Sequence, residues 1–335
     1  MSTAKRFANV VKPGRATALG ACLTLLTVIC LTAAPAQAQQ NRTWVSGTGD
    51  NASATCSRAA PCATFANALG KTNAGGEINC LDSGSFGALI ITKSISVICE
   101  GVVGGMLQAG SDVIALLTGA ADVVVLRGLD IEGVAGIGAG VNFLSGGGAL
   151  HIENCRIRDG SGTGSWGIKF TPTFAAELYV TDTTVSHNGT TGGGGILVQA
   201  PAGSTSKAVI TNSNVQNNFF GIKADGTGAG GGVINMTIRA TASVGNSSNG
   251  IVGTMSAGGA AVVMMLDRVT SSHNAAGFGI IADGPSTFIH VGGSSIAGNA
   301  NGMGSSNSGT LLSFKTNQIR GNSNDGTPIA VVSVD

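Results

Sequence analysis

Six asparagines, Asn188, Asn218, Asn246, Asn274, Asn299 and Asn322, follow one another at intervals of 30, 28, 28, 25 and 23 residues, each after a β-branched or apolar run. A recurrence of this length restricts a chain to a solenoid, propeller or array, because one such unit cannot bury its own apolar face. Eight residues before each Asn stands Val180, Ile210, Ile238, Leu266, Val291 or Phe314. Ten before it stand Leu178, Ala208, Met236, Met264, Ile289 and Leu312. Three before it come Val185, Val215, Ser243, Ser271, Ile296 and Ile319, and a Gly-hydrophobic pair such as "GIL", "GIK", "GIV" or "GII" follows. The alternation has period two and changes phase in the middle, which describes a strand, a bend and another strand. A propeller blade needs four strands and roughly 40 residues, so a coil of short strands fits better.

The same pattern continues N-terminally in "LHIENCRIRDG", with Leu150, Ile152 and Ile157 in register and Gly160 where the Asn would be, and in "VVVLRGLDIEG". Equivalent residues of coils stacked in parallel lie about 4.8 Å apart. Stacked Asn amides then donate and accept between neighbouring coils, as in cross-β ladders, and Asn tolerates the left-handed backbone of a tight bend. The repeated Asn is therefore expected to be structural.

Composition agrees with short strands and tight turns. Charged residues are 10% and aromatics 4%, while 54 glycines are mixed with Val, Ile, Thr, Ser and Asn. Lys5, Arg6, Lys12 and Arg15 precede an apolar run, and "AQA" at 36–38 offers a cleavage site, the layout of a secretory signal peptide over residues 1–38. Its removal takes four of the 18 Lys and Arg and none of the 17 Asp and Glu, leaving 14 against 17, a formal charge of −3. A slightly acidic surface without a basic cluster argues against nucleic acid as a partner. No later apolar run is long enough to span a bilayer. The expected location is therefore secreted, extracellular or periplasmic.

Export permits disulfides. Cys56 and Cys62 in "CSRAAPC" sit close enough to clip a loop, and Cys80 and Cys99, ending "EINC" and "SISVIC", are candidates for a second bridge. Cys155 is left over, as a small buried residue. Residues 39–74 contain a strand, the clipped loop and a short helix with Phe65, Ala68 and Leu69 on one face, and are read as a cap over the open solenoid core.

The spacing h-x-h-x-x-x-x-h-x-x-N followed by Gly-Ile resembles the right-handed parallel β-helix repeat of the pectin-lyase-like superfamily over residues 75–335. The expected fold is all-β: a right-handed parallel β-helix with a small N-terminal cap containing a short helix. The resemblance implies a carbohydrate-related role, with polysaccharide or cell-surface glycan as partner and calcium as the cofactor some relatives use. The residues themselves supply no complete lyase or hydrolase motif. "RIR" at 156–158 only partly echoes the "RIK" of galacturonan hydrolases, and no GGxGxD calcium repeat is present. "GTGSWG" and "GTGAGGG" satisfy GxGxxG without the strand-loop-helix context of a dinucleotide site.

Asp159 and His187 occupy the same repeat position in adjacent coils, one before the repeated Asn, with Arg156, Arg158, Glu153, Asp182, His151 and Tyr179 on the same two coils. An acid beside an imidazole, flanked by Arg, suits proton abstraction from a uronic acid whose carboxylate the Arg neutralises. The competing reading is opposite-charge pairing at exposed bends. Asp225 and Asp283 form a second candidate pair, two coils apart with Thr254 between them, although Asp-Gly is also ordinary turn chemistry. A binding or structural role leads, and a polysaccharide lyase is the alternative. What separates them is whether charged groups of three or more coils converge in a groove on one face. The C-terminal "TPIAVVSVD" is expected either to fold over the last coil or to contact a second chain.

Overall fold

The computed structural model describes residues 39–333 apart from 135, 137, 229 and 327–329. The leader expected over residues 1–38 lies outside the described residues. The chain winds into three parallel sheets of twelve, ten and nine strands, called here the long, middle and third sheets. Each coil contributes one strand to each sheet in turn, as in Thr205–Thr211, Asn214–Gln216 and Phe220–Asp225. Nine coils are complete. This is the parallel β-helix that the repeat and the resemblance implied.

Alternation decides which side chains face inward. In Thr205–Thr211 the inward Ser206, Ala208 and Ile210 are buried, and Val209 faces out. Register carries Ile210 onto Ile238, Leu266 and Val291 in successive coils, all fully buried. Burying one such side chain contributes about 1.5–3 kcal/mol, so each added coil lengthens one continuous core.

From the second coil on, the corners on either side of the middle sheet pass through the left-handed conformation. Between the long and middle sheets it falls on Gly128, Asn154, Asp182, Asn212, Ala240, Arg268 and Gly293. Between the middle and third sheets it falls on Asp159, His187, Asn217, Gly245, His273, Gly298 and Gly321, with φ from 55° to 78°. This corrects the expected role of the repeated Asn. The left-handed residue is the one before it, and the Asn itself turns its amide inward.

There the ladder is continuous. Asn218 Oδ1 accepts from the backbone N–H of Asn188 at 2.9 Å and from its Nδ2 at 3.1 Å. Asn246, Asn274, Asn299 and Asn322 repeat the pair of bonds to the preceding coil. Gly160 starts the ladder by donating its N–H to Asn188 Oδ1 at 3.2 Å. At the other end Asp325 stands where another Asn would, its Oδ1 accepting from Asn322 N and Nδ2 at 3.1 and 3.0 Å. The "GI" glycines lie beside this ladder and face the space that the amides fill. A Cβ on Gly279 would come within 2.8 Å of both Asn299 Nδ2 and the Gly302 carbonyl.

The last coil departs from the expected register. Ile289 pairs with Leu311 and Val291 with Ser313, so Leu311 and Ser313 face inward, and Leu312 and Phe314, expected inside, do not. One extra residue lies between strand and Asn in this coil, and a one-residue slip reverses the faces. Ala330–Val331 then pairs in parallel with Leu312–Ser313 as a final rung of the long sheet, so this part of the C-terminal segment extends the last coil.

At the other end Gln40–Val45 already pairs with Thr72–Cys80 in the long sheet, so the cap boundary expected between 74 and 75 falls inside a strand. Helix α1, Phe65–Lys71, is capped by Thr64, whose side chain accepts from Asn67 N. It buries Phe65, Ala68 and Leu69, the expected face, and Phe65 lies 5.0 Å from Phe86 between ring centroids. Cys56–Cys62 and Cys80–Cys99 are disulfide-bonded, with Cα atoms 4.9 and 4.8 Å apart. Cys155 is free and buried, and desolvation pushes its thiol up to about 11. A thiol so disposed is inert at neutral pH.

Candidate functional site

Asp159 and His187 stand at left-handed corners of adjacent coils, as their repeat position requires. His187 Nδ1 is 3.8 Å from Asp159 Oδ1, and both side chains are largely exposed. Arg158 does not face a vacant site. Its Nε bonds Asp130 Oδ1 at 3.0 Å, its Nη2 meets Glu132 Oε2 at 2.8 Å and its Nη1 meets Asp159 Oδ2 at 2.8 Å. The hydrogen bond to Asp130 is the main reason its guanidinium is held charged above the ordinary Arg value, and Asp159 and Glu132 add to it. Three carboxylates thus engage the cation that a uronate would need. Arg156 lies beside it in register with Asp130 and Thr184 and is exposed.

Charged groups of two coils therefore meet on the middle sheet, Asp130 and Glu132, then Arg156, Arg158 and Asp159, and His187 of a third coil adjoins them. They meet as pairs of opposite charge on an open face. Among the described residues, no group of three His, Cys, Asp or Glu side chains is placed to hold a metal ion. The nearest carboxylates, Asp130 and Glu132, already serve Arg158, so this cluster does not fit the calcium that the resemblance implies.

Asp225, Thr254 and Asp283 are adjacent rungs of the third sheet, as their spacing requires. Burial opposes the charge of Asp225, but the ion pair with Lys223 at 2.8 Å and the bonds from Thr227 outweigh it and lower its pKa. Ser306, then Asn307 and Thr254, do the same for Asp283. Both are carboxylates held ionised, poor general acids at neutral pH. A depressed folded-state pKa stabilises the fold above the ordinary carboxylate value of about 4, and this stabilisation is lost as pH falls through the folded value. The stability difference between the wild type and Asp283→Asn in urea is accordingly expected to be constant from pH 7 to about 5 and to shrink towards zero below about pH 4. A difference that grew on acidification would contradict this.

The long sheet carries a second polar group, only partly visible in the sequence. The rings of His151 and Tyr179 stack on adjacent rungs, 4.6 Å apart and 11° from parallel. Rings stacked along the coil axis turn their edges to solvent and present polar atoms there. Tyr179 Oη donates to Glu177 Oε2 at 2.5 Å, and Lys207 Nζ bonds Glu177 Oε1 at 3.0 Å. Tyr179 first, then Lys207, hold the Glu177 carboxylate below its ordinary pKa. On the other edge Arg127 joins Glu100 and Glu153 at 3.3 and 2.6 Å.

Beside Glu177 and Lys207 runs a groove of about 520 Å³ lined by Val123, Ala149, Ala175, Glu177, Thr205 and Lys207. It draws on four successive coils. Sequence reasoning did not single out Glu177 or Lys207, because their relation to Ala149 exists only through register: Ala149, Glu177, Lys207 and Asn235 form one outward column. Stacking "ALHIE", "ELYVT" and "KAVIT" in that register would have found it. Of the two tryptophans, Trp166 is buried against Phe220 with ring centroids 6.3 Å apart, and so offers no exposed platform.

No helix among the described residues is long and apolar enough to cross a membrane. No protein-family model and no curated protein matches the chain. Among solved structures, the crystal structure of pectate lyase Pel9A aligns over 89% of this chain and 77% of that one, at 14% identity and a TM-score of 0.46.

Proposed function

We propose that the protein is an extracellular scaffold that binds a carbohydrate chain along the outer face of the long sheet. The observation that carries this reading is the groove beside Glu177 and Lys207. Its floor of Ala149 and Ala175 leaves room for a flat ring. Glu177 and Lys207 in its lining are paired with each other, and Lys207 keeps N–H donors beyond that bond, with the polar edges of His151 and Tyr179 adjoining. A surface extended over several rigid coils suits a polymer, which gains a contact with each coil it crosses. Two disulfides agree with an oxidising compartment.

The test is a binding panel of neutral and acidic polysaccharides, followed by calorimetry with the oligosaccharide of the best binder. Lys207→Ala and Glu177→Gln are each expected to weaken binding about tenfold, about 1.4 kcal/mol, while costing at most about 1 kcal/mol of stability, as loss of an exposed ion pair does. No retained polysaccharide, or variants that bind like the wild type, would reject the reading. The second reading, a lyase of acidic polysaccharide, is favoured by the approach of Asp159 to His187. An assay for unsaturated products, with and without calcium, separates the two, and activity lost in both His187→Ala and Asp159→Ala would favour the lyase.

A further inference from the structure

A cavity of about 600 Å³ opens on the long-sheet side of the last coils, lined by Met265, Asp267, Arg268, Gly292, Phe314 and Thr316 among others. It arises from two local departures from the repeat. The first is Gly292, which continues the outward column of Arg239 and Asp267 but supplies no side chain. A Cβ built there would lie 3.1 Å from Phe314 Cδ2 and 3.5 Å from Thr316 Oγ1, so any larger side chain would enter the cavity. The second is the one-residue slip of the last coil, which brings Phe314 out of the core to form a wall. Met265, 43% exposed, contributes a second apolar side chain to the lining.

The charges at the rim are unbalanced. Arg239 Nε and Arg268 Nε both approach Asp267 Oδ2, each at 3.2 Å. Two guanidiniums share one carboxylate oxygen, and among the described residues neither has another acidic partner within ion-pair distance. A guanidinium carries five N–H donors in a planar fork matched to carboxylate and related anions. Arg268, which lines the cavity, therefore keeps donors and net positive charge for an incoming anion.

We propose that this cavity binds a small amphipathic anion, with its apolar body between Met265 and Phe314 and its carboxylate or sulfonate head on the Arg268 guanidinium. The volume is that of ordinary small-molecule pockets, which are apolar with a few placed polar groups. The site begins two coils beyond the carbohydrate groove and does not depend on that reading.

Fluorescence titration of the full chain with 1-anilinonaphthalene-8-sulfonate, compared with the uncharged N-phenyl-1-naphthylamine, tests it. Saturable one-to-one binding is expected, at least about tenfold tighter for the sulfonate. Gly292→Val, which narrows the cavity beside Phe314 without altering charge, should weaken binding of both probes about tenfold or more. Arg268→Gln should reduce the sulfonate to the affinity of the uncharged probe, and it decides the question alone if Gly292→Val fails to fold. Phe174→Ala, at an exposed phenylalanine elsewhere, should change neither affinity. Equal affinity for the two probes, or a preference for the sulfonate that survives Arg268→Gln, would overturn the proposal, as would undiminished binding to a folded Gly292→Val.

Discussion

Asn246→Ala is expected to destabilise the protein by about 3–5 kcal/mol in urea unfolding. Asn246 Oδ1 accepts both the backbone N–H and the Nδ2 of Asn218, and its own Nδ2 donates to Asn274 Oδ1 at 2.9 Å. The side chain is fully buried, so no water can replace it. Alanine leaves the Asn218 backbone N–H without an acceptor and its Nδ2 with only the Val185 carbonyl, and Asn274 Oδ1 loses one donor; each buried polar group left unsatisfied costs about 1–3 kcal/mol. The loss spreads beyond one coil because every member of the ladder bonds the next. Asn235→Ala, at an exposed position of the same coil, should stay within about 0.5 kcal/mol of the wild type. Equal effects at the two positions would show that the ladder contributes nothing beyond an ordinary asparagine.

Gly250→Ala is expected to be comparably harmful for the opposite reason, an added atom. The added Cβ would meet Ser271 Oγ, and it would lie 2.6 Å from Asn274 Nδ2 and 2.7 Å from the Gly279 carbonyl. Gly250 is not among the left-handed glycines, so space rather than backbone conformation demands it. Overpacking of this kind costs about 1–3 kcal/mol and more when backbone must move, and about 3 kcal/mol is expected here. Gly228→Ala provides the control, since a Cβ there has no heavy atom within 4 Å. A harmless Gly250→Ala would mean that the coil spreads to admit the methyl group, and that the glycine and asparagine ladders are not mechanically coupled.

The two predictions connect features that look unrelated along the chain. The recurring Asn and the Gly-hydrophobic pair that follows it are two sides of one packed corner. The amide fills the volume that the glycine vacates, and the next residue, such as Ile251, is free to enter the core. This coupling was legible as a spacing. Its cause was not, because a spacing does not say whether the glycine is there for conformation or for room.

Register was legible where the spacing stayed constant and failed where it did not. Ile210, Ile238, Leu266 and Val291 are buried as their distance from the Asn requires, whereas Phe314, at the same distance, faces out. The extra corner residue precedes an unchanged Asn322, so a count made from that Asn assigns the strand to the wrong face. The candidate cluster was legible in the same partial way. Asp159 and His187 are neighbours because they share a repeat position. That Arg158 would be taken up by Asp130 and Glu132 depends on the preceding coil, whose copy of the pattern is weaker.

By itself, the sequence determined the architecture, the polar ladder at its corner and the inward residues of the regular coils. All of these follow from local periodicity repeated along one axis. Only the tertiary structure decided which outward residues meet, because that depends on register between coils and on the room left by neighbours. The groove beside Glu177 and Lys207 and the cavity under Gly292 are set by absent side chains. A missing side chain becomes a space only when the coils on either side are in place.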